Sequence, residues 1–400
     1  MKITRMQSTL YAFDLDRRMG DANSPSGRIR GSGCVVELQT DEGLVGIGLG
    51  GGGVRPQMQG MVEQLLQGQD PRRVQGLWKR MVDKHFKGGH DGLINDAIAT
   101  LDMALWDLKA KANDEPLWKT LGGSKQPIHC YASDLGIPLS DDELAAWFTR
   151  MASEYGFRGG KLKVGLDQDA DIRRLELMER AFKQTAEAPM LLIDANEYWS
   201  PKQAIRKVAE MEERFDLTWV EEPARRWDYL GLRRIKDAVR TAVCAGENLD
   251  TLGDFLPYLQ HRAADVIQVS YGMGGISCAL QIADAAFGYE LPITLGGSPG
   301  SIHAHLATVM PNFMTMEVID PVAPDGVFTS DVRIEDGWAI PGDKPGLGIE
   351  IDREALAKQA IEKVPPGAGP SPFGRRPGAG LYEVLPTEAE RAEAAKGVAQ

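Results

Sequence analysis

Two lysines one residue apart, Lys161 and Lys163, and three acids that each close an apolar run are the residues whose types and spacing could do chemistry. The runs are Leu191-Leu192-Ile193 before Asp194, Thr218-Trp219-Val220 before Glu221, and Ala242-Val243-Cys244-Ala245-Gly246 before Glu247. Side chains alternate across a strand, so Lys161 and Lys163 share one side and Leu162 takes the other. An isolated pair of this kind is more often solvated on a loop. At the mouth of a barrel, like charge and partial burial would both lower a lysine's pKa from about 10.4 toward the range of a neutral amine base. Three carboxylates converging without positive partners repel, and a divalent cation resolves the conflict. All-oxygen ligation suits Mg²⁺, which keeps positions open for water or substrate oxygens. No His or Cys lies at these run ends, which argues against zinc.

Such residues need elements to hold them. From about Pro127 short apolar runs alternate with helical stretches, and the strands expected are Ile128–Tyr131, Gly160–Lys163, Met190–Asp194, Leu217–Glu221, Ala242–Glu247, Val266–Ser270, Pro292–Leu295 and Phe313–Val318. Most intervals fit a strand, a helix and two loops, which argues parallel βαβ units, and eight strands suggest a closed barrel whose active face lies at the C-terminal strand ends. An open doubly wound sheet is disfavoured because no GxGxxG opens a helix after the first strand; Gly50–Gly53 follows a hairpin and reads as a flexible surface loop. That hairpin runs from Val35, Val36 and Leu38 through Thr40–Gly43 into Leu44–Ile47. Ile94, Ala97, Ile98, Leu101, Leu105 and Leu108 recur at helical steps, predicting an amphipathic helix from Leu93 to Ala112. The first part is therefore an α+β unit.

The chain has 400 residues and is 43% hydrophobic, enough for one large domain and a smaller one. Its 45 Lys plus Arg against 57 Asp plus Glu leave a net charge of -12, so no broad basic surface exists for nucleic acid. No apolar run reaches the roughly 18 residues of a membrane span, and the N-terminus lacks a signal-peptide stretch. Cys34, Cys130, Cys244 and Cys278 are too dispersed for a CxxC site and too few for a disulfide framework, which fits a reducing cytoplasm.

Several phrases, in this order and spacing, resemble the enolase superfamily in its mandelate racemase and muconate lactonizing enzyme branch. They are Ala104-Leu105-Trp106-Asp107-Leu108-Lys109, Pro116-Leu117-Trp118 before Leu121-Gly122-Gly123, Lys161-Leu162-Lys163, Asp194-Ala195-Asn196, Glu221-Glu222-Pro223, Gly246-Glu247-Asn248 and Pro345-Gly346-Leu347-Gly348. The resemblance implies an α/β modified TIM barrel, (β/α)7β, over residues 126–325, with an α+β capping domain over 1–125, a segment over 326–364 that returns to the cap, and a tail over 365–400. It implies that Asp194, Glu221 and Glu247 hold Mg²⁺, that the ion binds a substrate carboxylate, and that Lys163 removes the proton next to that carboxylate while Lys161 helps hold the developing charge. Glu317 matches an acid that hydrogen-bonds a substrate carboxylate oxygen, Asn196 is taken as substrate-binding, and a homo-oligomer is expected. Arginines of two cap loops, Asp16 to Arg30 and Gly50 to Arg55, are expected to meet a polar or anionic substrate.

The pattern departs from many relatives on the face opposite Lys163. Gly297 stands where a histidine is expected at the end of the seventh strand, and the sixth strand offers neither an Asp nor a Lys around Ser270. Tyr271, Ser298 and His303 are the substitutes for a second acid; Tyr271 equally reads as a packing residue, His303 reads more readily as a partly buried helix histidine, and His305, His85 and His90 read as structural or surface residues. Inversion needs proton delivery to the far face. Elimination asks less, because Lys163 itself can return the proton to the departing hydroxyl. The expected activity is dehydration of a sugar acid or other hydroxy-carboxylate to a 2-keto acid, a hydro-lyase reaction. The alternatives are racemisation or epimerisation of a carboxylate, a cyclic amino acid included, and a non-catalytic ligand-binding barrel.

Overall fold

The computed structural model describes residues 1–363 except His90, Ser298, Pro299 and Pro324, with the side chains of Gly300 and Ser301 also left aside. The tail over 365–400 and the substitute acid Ser298 therefore lie outside the described residues.

The N-terminal unit opens with β1 (Ile3–Met19), β2 (Arg28–Thr40) and β3 (Val45–Gly50), an antiparallel sheet in that order. The expected hairpin is its β2–β3 pair, whereas the long β1 was not legible, since its outer half alternates weakly and carries Asp14, Asp16, Arg17 and Arg18. Then come α1 (Arg55–Met61), α2 (Val74–His85), α3 (Leu93–Ala112) and α4 (Leu117–Thr120). The α3 helix spans the expected residues and is buried along most of its length against the sheet. Gly46 and Gly48, on one face of β3, make this contact possible, because a Cβ on either would run into the backbone oxygens of Ala104 or Thr100. Gly51 and its neighbours do not form a free loop; Gly52–Val54 is a turn of 3₁₀ helix.

The barrel follows as β4 (Ile128–Ser133), α5 (Asp141–Tyr155), β5 (Gly159–Lys163), α6 (Gln168–Phe182), β6 (Met190–Asp194), α7 (Pro201–Met211), β7 (Leu217–Glu221), α8 (Tyr229–Lys236), β8 (Ala242–Ala245), α9 (Leu252–His261), β9 (Val266–Val269), α10 (Ile276–Phe287), β10 (Ile293–Leu295), α11 (Gly300–Ala307) and β11 (Phe313–Val318). Adjacent strands pair in parallel, and β11 pairs with β4, so the sheet closes. Helix starts are set by local chemistry: Ser140 with Glu143 and Ser200 with Gln203 form capping boxes, each satisfying two otherwise orphaned backbone donors. The fold is an α/β modified TIM barrel of the (β/α)7β kind with an N-terminal capping sheet.

After β11 come β12 (Phe328–Ser330), β13 (Arg333–Glu335), β14 (Trp338–Ile340), β15 (Ile349–Ile351) and α12 (Arg353–Gln359). This segment returns to the cap: Asp107 accepts from the backbone N–H of both Ile47 and Leu347, each at 2.8 Å, and Leu117 N–H donates to Gly346. Two of the sequence phrases, around Asp107 and around Gly346, are thus halves of one joint. His305 serves the same joint, accepting from Trp118 N–H at 3.3 Å and facing the Leu347 carbonyl at 3.3 Å. Among the described residues no helix is long and apolar enough to cross a membrane, and the four cysteines are buried and unpaired.

Candidate active site

The barrel interior has two layers. Tyr131, Leu192, Trp219, Cys244 and Val266 pack as an apolar floor. Two residues further along the same strands, alternation brings charge to the same side: Leu192 leads to Asp194 and Trp219 to Glu221. Register does the rest, for Lys163 sits opposite Asp194 on β6, and Asp194 opposite Glu221 on β7. The third acid arrives differently. The strand expected over Ala242–Glu247 ends at Ala245, and Glu247 follows Gly246, whose φ of 141° carries the chain through a conformation few other residues adopt. Carboxylate oxygens of Asp194, Glu221 and Glu247 nevertheless lie within 4.8 Å of one another.

The two lysines point into this layer. Lys161 Nζ donates to Glu221 at 2.5 Å and lies 3.0 Å from Glu317; Lys163 Nζ donates to Asp194. Four carboxylates against two ammonium groups leave a formal excess of two negative charges, which one divalent cation balances. The donor set is all oxygen and hard, as Mg²⁺ requires.

The electrostatics correct one expectation. Burial lowers the pKa of Lys163, and Lys161 adds to that, but Asp194 in direct contact more than reverses both, so Lys163 is held above the ordinary lysine range. Lys161 is likewise held up, with Glu221 and Glu317 overcoming burial. Mutual repulsion loses here because each ammonium has a carboxylate at hydrogen-bond distance, nearer than the other lysine's influence can offset. Burial would raise Glu317, but the two lysines bring it down to about 2. Burial and the neighbouring acids push Glu221 and Glu247 up, whereas Lys163 and Lys161 outweigh burial at Asp194 and hold it down.

Asn196, with Glu197, continues from β6 in a left-handed turn (φ 43° and 59°). Its backbone N–H donates to Asp194 at 2.8 Å and its carbonyl accepts from Asn23 of the cap at 2.7 Å, so the turn fixes a carboxylate and ties down a cap loop. Glu222 accepts twice from the Asn248 side chain, at 2.9 and 2.8 Å, joining the turn after β7 to the turn after β8. The Glu221-Glu222 and Glu247-Asn248 phrases therefore brace each other. Asp134 is a residue the sequence reading missed: it is buried just past the end of β4, its N–H donates to Lys161 O, and it accepts from Arg17 of the cap at 3.1 Å. The strand-end criterion applied to β4 would have found it.

On the opposite side, Gly297 N–H donates to Glu317 at 2.7 Å, and Tyr271 N–H donates to His303 Nε2 at 3.4 Å, which assigns the neutral ring's proton to Nδ1. His303 is fully buried rather than partly so, and burial lowers its pKa to about 4. Its ring lies 5.0 Å from that of Tyr271, and of the two it is Tyr271 that faces the cavity under the cap. His85 is half-buried at the end of α2, away from these groups, and His90 is outside the described residues.

The cap arginines do not meet the site as expected. Arg17 is spent on Asp134 and on Asp320, the latter at 2.8 Å; Arg30 pairs with Asp14 at the surface; Arg18, Arg28 and Arg55 are exposed.

Residues 27–122 match the family model described as mandelate racemase / muconate lactonizing enzyme, N-terminal domain, and residues 143–355 match enolase C-terminal domain-like. The chain belongs to the enolase superfamily, in the mandelate racemase and muconate lactonizing enzyme branch. It is 30% identical to L-talarate/galactarate dehydratase of Salmonella typhimurium over 329 residues, 80% of this chain and 81% of the relative. A racemase from Streptomyces coelicolor solved with bound magnesium superposes with a TM-score of 0.80 at 28% identity, covering 90% of this chain and all of that one. An enolase from Bradyrhizobium complexed with magnesium and mandelic acid gives 0.79 at 26% identity, covering 90% and 98%. This superfamily member is thus similar to magnesium enzymes of both the dehydratase and the racemase kind.

Proposed function

We propose that this protein is a Mg²⁺-dependent enzyme that removes the α-proton of a small carboxylate substrate and eliminates a β-hydroxyl as water, giving a 2-keto acid. The juxtaposition of the Lys161/Lys163 pair with three carboxylates at one layer of the barrel carries the reading. Asp194, Glu221 and Glu247 would hold Mg²⁺, which when bound would supply a Lewis acid for charge that develops on the substrate carboxylate. Asp194 holds Lys163 as the ammonium, and with that carboxylate committed to a cation Lys163 would be released to act as the neutral amine that takes the α-proton, while Lys161, anchored by Glu221 and Glu317, offers a fixed positive charge to the enediolate. The C–O bond to the β-hydroxyl then breaks with its electron pair, and Lys163 returns the proton to the departing oxygen, so water leaves and the enol tautomerises to the keto acid. Asn196 holds Asp194 in place through its N–H. The reading also carries the expectation of a homo-oligomer in the cytoplasm.

Epimerisation is the second reading, and the Tyr271–His303 pair on the far side of the site favours it, because a proton donor there would allow return to the opposite face. Incubation of enzyme and Mg²⁺ with a panel of acid sugars and hydroxy acids in D₂O tests both. A product that forms a semicarbazone supports elimination; an isomer of unchanged skeleton with deuterium at Cα supports epimerisation. Neither turnover nor α-proton exchange anywhere in the panel would leave a binding barrel as the better account.

A further inference from the structure

Asp194 and Glu221 close β6 and β7, Glu247 lies just past β8, and β6 and β8 are not neighbours, since β7 stands between them. Strand register sets Asp194 against Glu221. It does not set Glu247, which follows Gly246 beyond the end of β8. The Glu222–Asn248 pair braces that turn to the turn after β7, and Arg226, in the loop after β7, extends the brace to the turn after β6. Its Nε donates to Glu197, in the turn that follows Asp194, at 2.5 Å, and its Nη1 donates to the backbone carbonyl of Asn248, the residue after Glu247, at 2.8 Å.

The parts this bridge joins are themselves fixed. Glu197 is buried in its left-handed turn; its carboxylate also accepts from the Arg226 N–H at 3.2 Å, and its own N–H donates to the Glu222 carbonyl at 2.7 Å. The Arg226 carbonyl accepts from the hydroxyl of Tyr258, a buried residue of α9, at 2.8 Å. A guanidinium presents its donors in a rigid fork, so one side chain can hold a carboxylate and a carbonyl at a set separation. The neighbouring Arg225 differs. It meets Glu197 only at 3.4 Å, lies 5.0 Å over the Trp227 ring, and among the described residues makes no bond to the turn after β8.

We infer that Arg226 is a positioning residue for the metal site: by tying the turn after β6 to the turn after β8, it sets the place of Glu247 relative to Asp194 and Glu221. This rests on the reading that these three carboxylates hold Mg²⁺. Charge alone would act in the opposite direction. A positive side chain beside a cluster of acids opposes a divalent cation, so its loss should tighten Mg²⁺ binding. Loss of a brace that orients a ligand should weaken it. The sign of the change therefore separates the two effects.

The test is calorimetric titration of the full-length protein with Mg²⁺ alone. Arg226→Ala is expected to raise the Kd about tenfold. Arg226→Lys keeps the charge, but one ammonium cannot span both partners, and a rise of about threefold is expected. Arg225→Ala, which removes the same charge from beside the same carboxylate, should leave the Kd within about twofold or lower it. Urea unfolding without Mg²⁺ establishes that each variant is folded at the titration temperature; a purely structural residue would lower that midpoint and leave the Kd alone. Should Arg226→Ala not fold, Arg226→Lys decides. Unchanged or tighter binding in Arg226→Ala overturns the inference, as does wild-type affinity in Arg226→Lys, or Arg225→Ala weakening the ion as much as Arg226→Ala. Failure of the underlying reading looks different: Glu221→Ala would then keep its Mg²⁺ affinity, and the inference would fall with it. Lost affinity in Glu221→Ala beside undiminished affinity in Arg226→Ala would sink only the inference.

Discussion

The barrel mouth and the cap wall carry opposite chemistry. The mouth concentrates six ionisable groups, Lys161, Lys163, Asp194, Glu221, Glu247 and Glu317, whose places are set by strand register and by braced turns. The cap contributes two aromatic rings, Tyr11 and Phe13, laid over Gly33 and Gly31, and its Arg17 is turned away into ion pairs. Proton chemistry needs tenths of an ångström, which closed parallel strands provide; substrate choice needs a surface that can be re-lined without disturbing that geometry. The same chain therefore separates a rigid charged layer from a surface whose residues leave that geometry untouched.

The separation can be broken most severely at its chemical side. Lys163→Ala should cost about a thousandfold or more in turnover, since a positioned base is lost, while Mg²⁺ still binds. Comparable activity in that variant would mean that the base lies elsewhere. The joint between the two regions comes next. Arg17→Ala leaves Asp134 buried without its partner, and a loss of about 3 kcal/mol in urea unfolding is expected. A loss under about 1 kcal/mol would show that the clamp is dispensable. For the metal, Glu221→Ala should erase the stabilisation that Mg²⁺ confers at about a hundred times its Kd, about 2.7 kcal/mol, which a thermal shift series with and without the ion will reveal. An undiminished shift would remove Glu221 from the ligand set.

A pH effect falls on the cap–barrel contact. Asp102 on α3 accepts from Ser277 N–H at 2.9 Å and from its hydroxyl at 2.7 Å on α10, and burial raises its pKa from 3.8 to about 7. A raised carboxylate pKa means that the folded state holds a proton the unfolded state has released. Stability from this group is thus full below pH 4 and falls, by about 1.4 kcal/mol per unit at most, as pH climbs through about 7. Asp102→Asn, which cannot ionise, should flatten the decline in urea midpoint between pH 5 and pH 8. An identical decline in both proteins would exclude Asp102 as its source.

Asp194 and Glu221 were legible because each ends an apolar run, and a parallel strand that ends in charge at a barrel mouth has one place to point it. Lys161 and Lys163 were legible for the same reason of alternation. Glu247 was legible as a residue although its strand stops two positions earlier, because local composition does not reveal where Gly246 turns the chain. Asp134 escaped because the strand expected over Ile128–Tyr131 stops short of Ser133, where β4 ends and Asp134 follows.

The sequence by itself determined the order of strands and helices in the barrel, the barrel class, and which acids and lysines share a layer, since these follow from periodicities of two and 3.6 residues and from strand ends. Tertiary structure alone decided the protonation preference of the lysines, the commitment of Arg17 to Asp134 and Asp320, the burial of His303 behind Tyr271, and the aromatic wall of Tyr11 and Phe13. Each of these depends on distances between residues far apart in the chain, and at such distances a shift of a few ångströms decides whether a neighbouring charge or the cost of burial prevails.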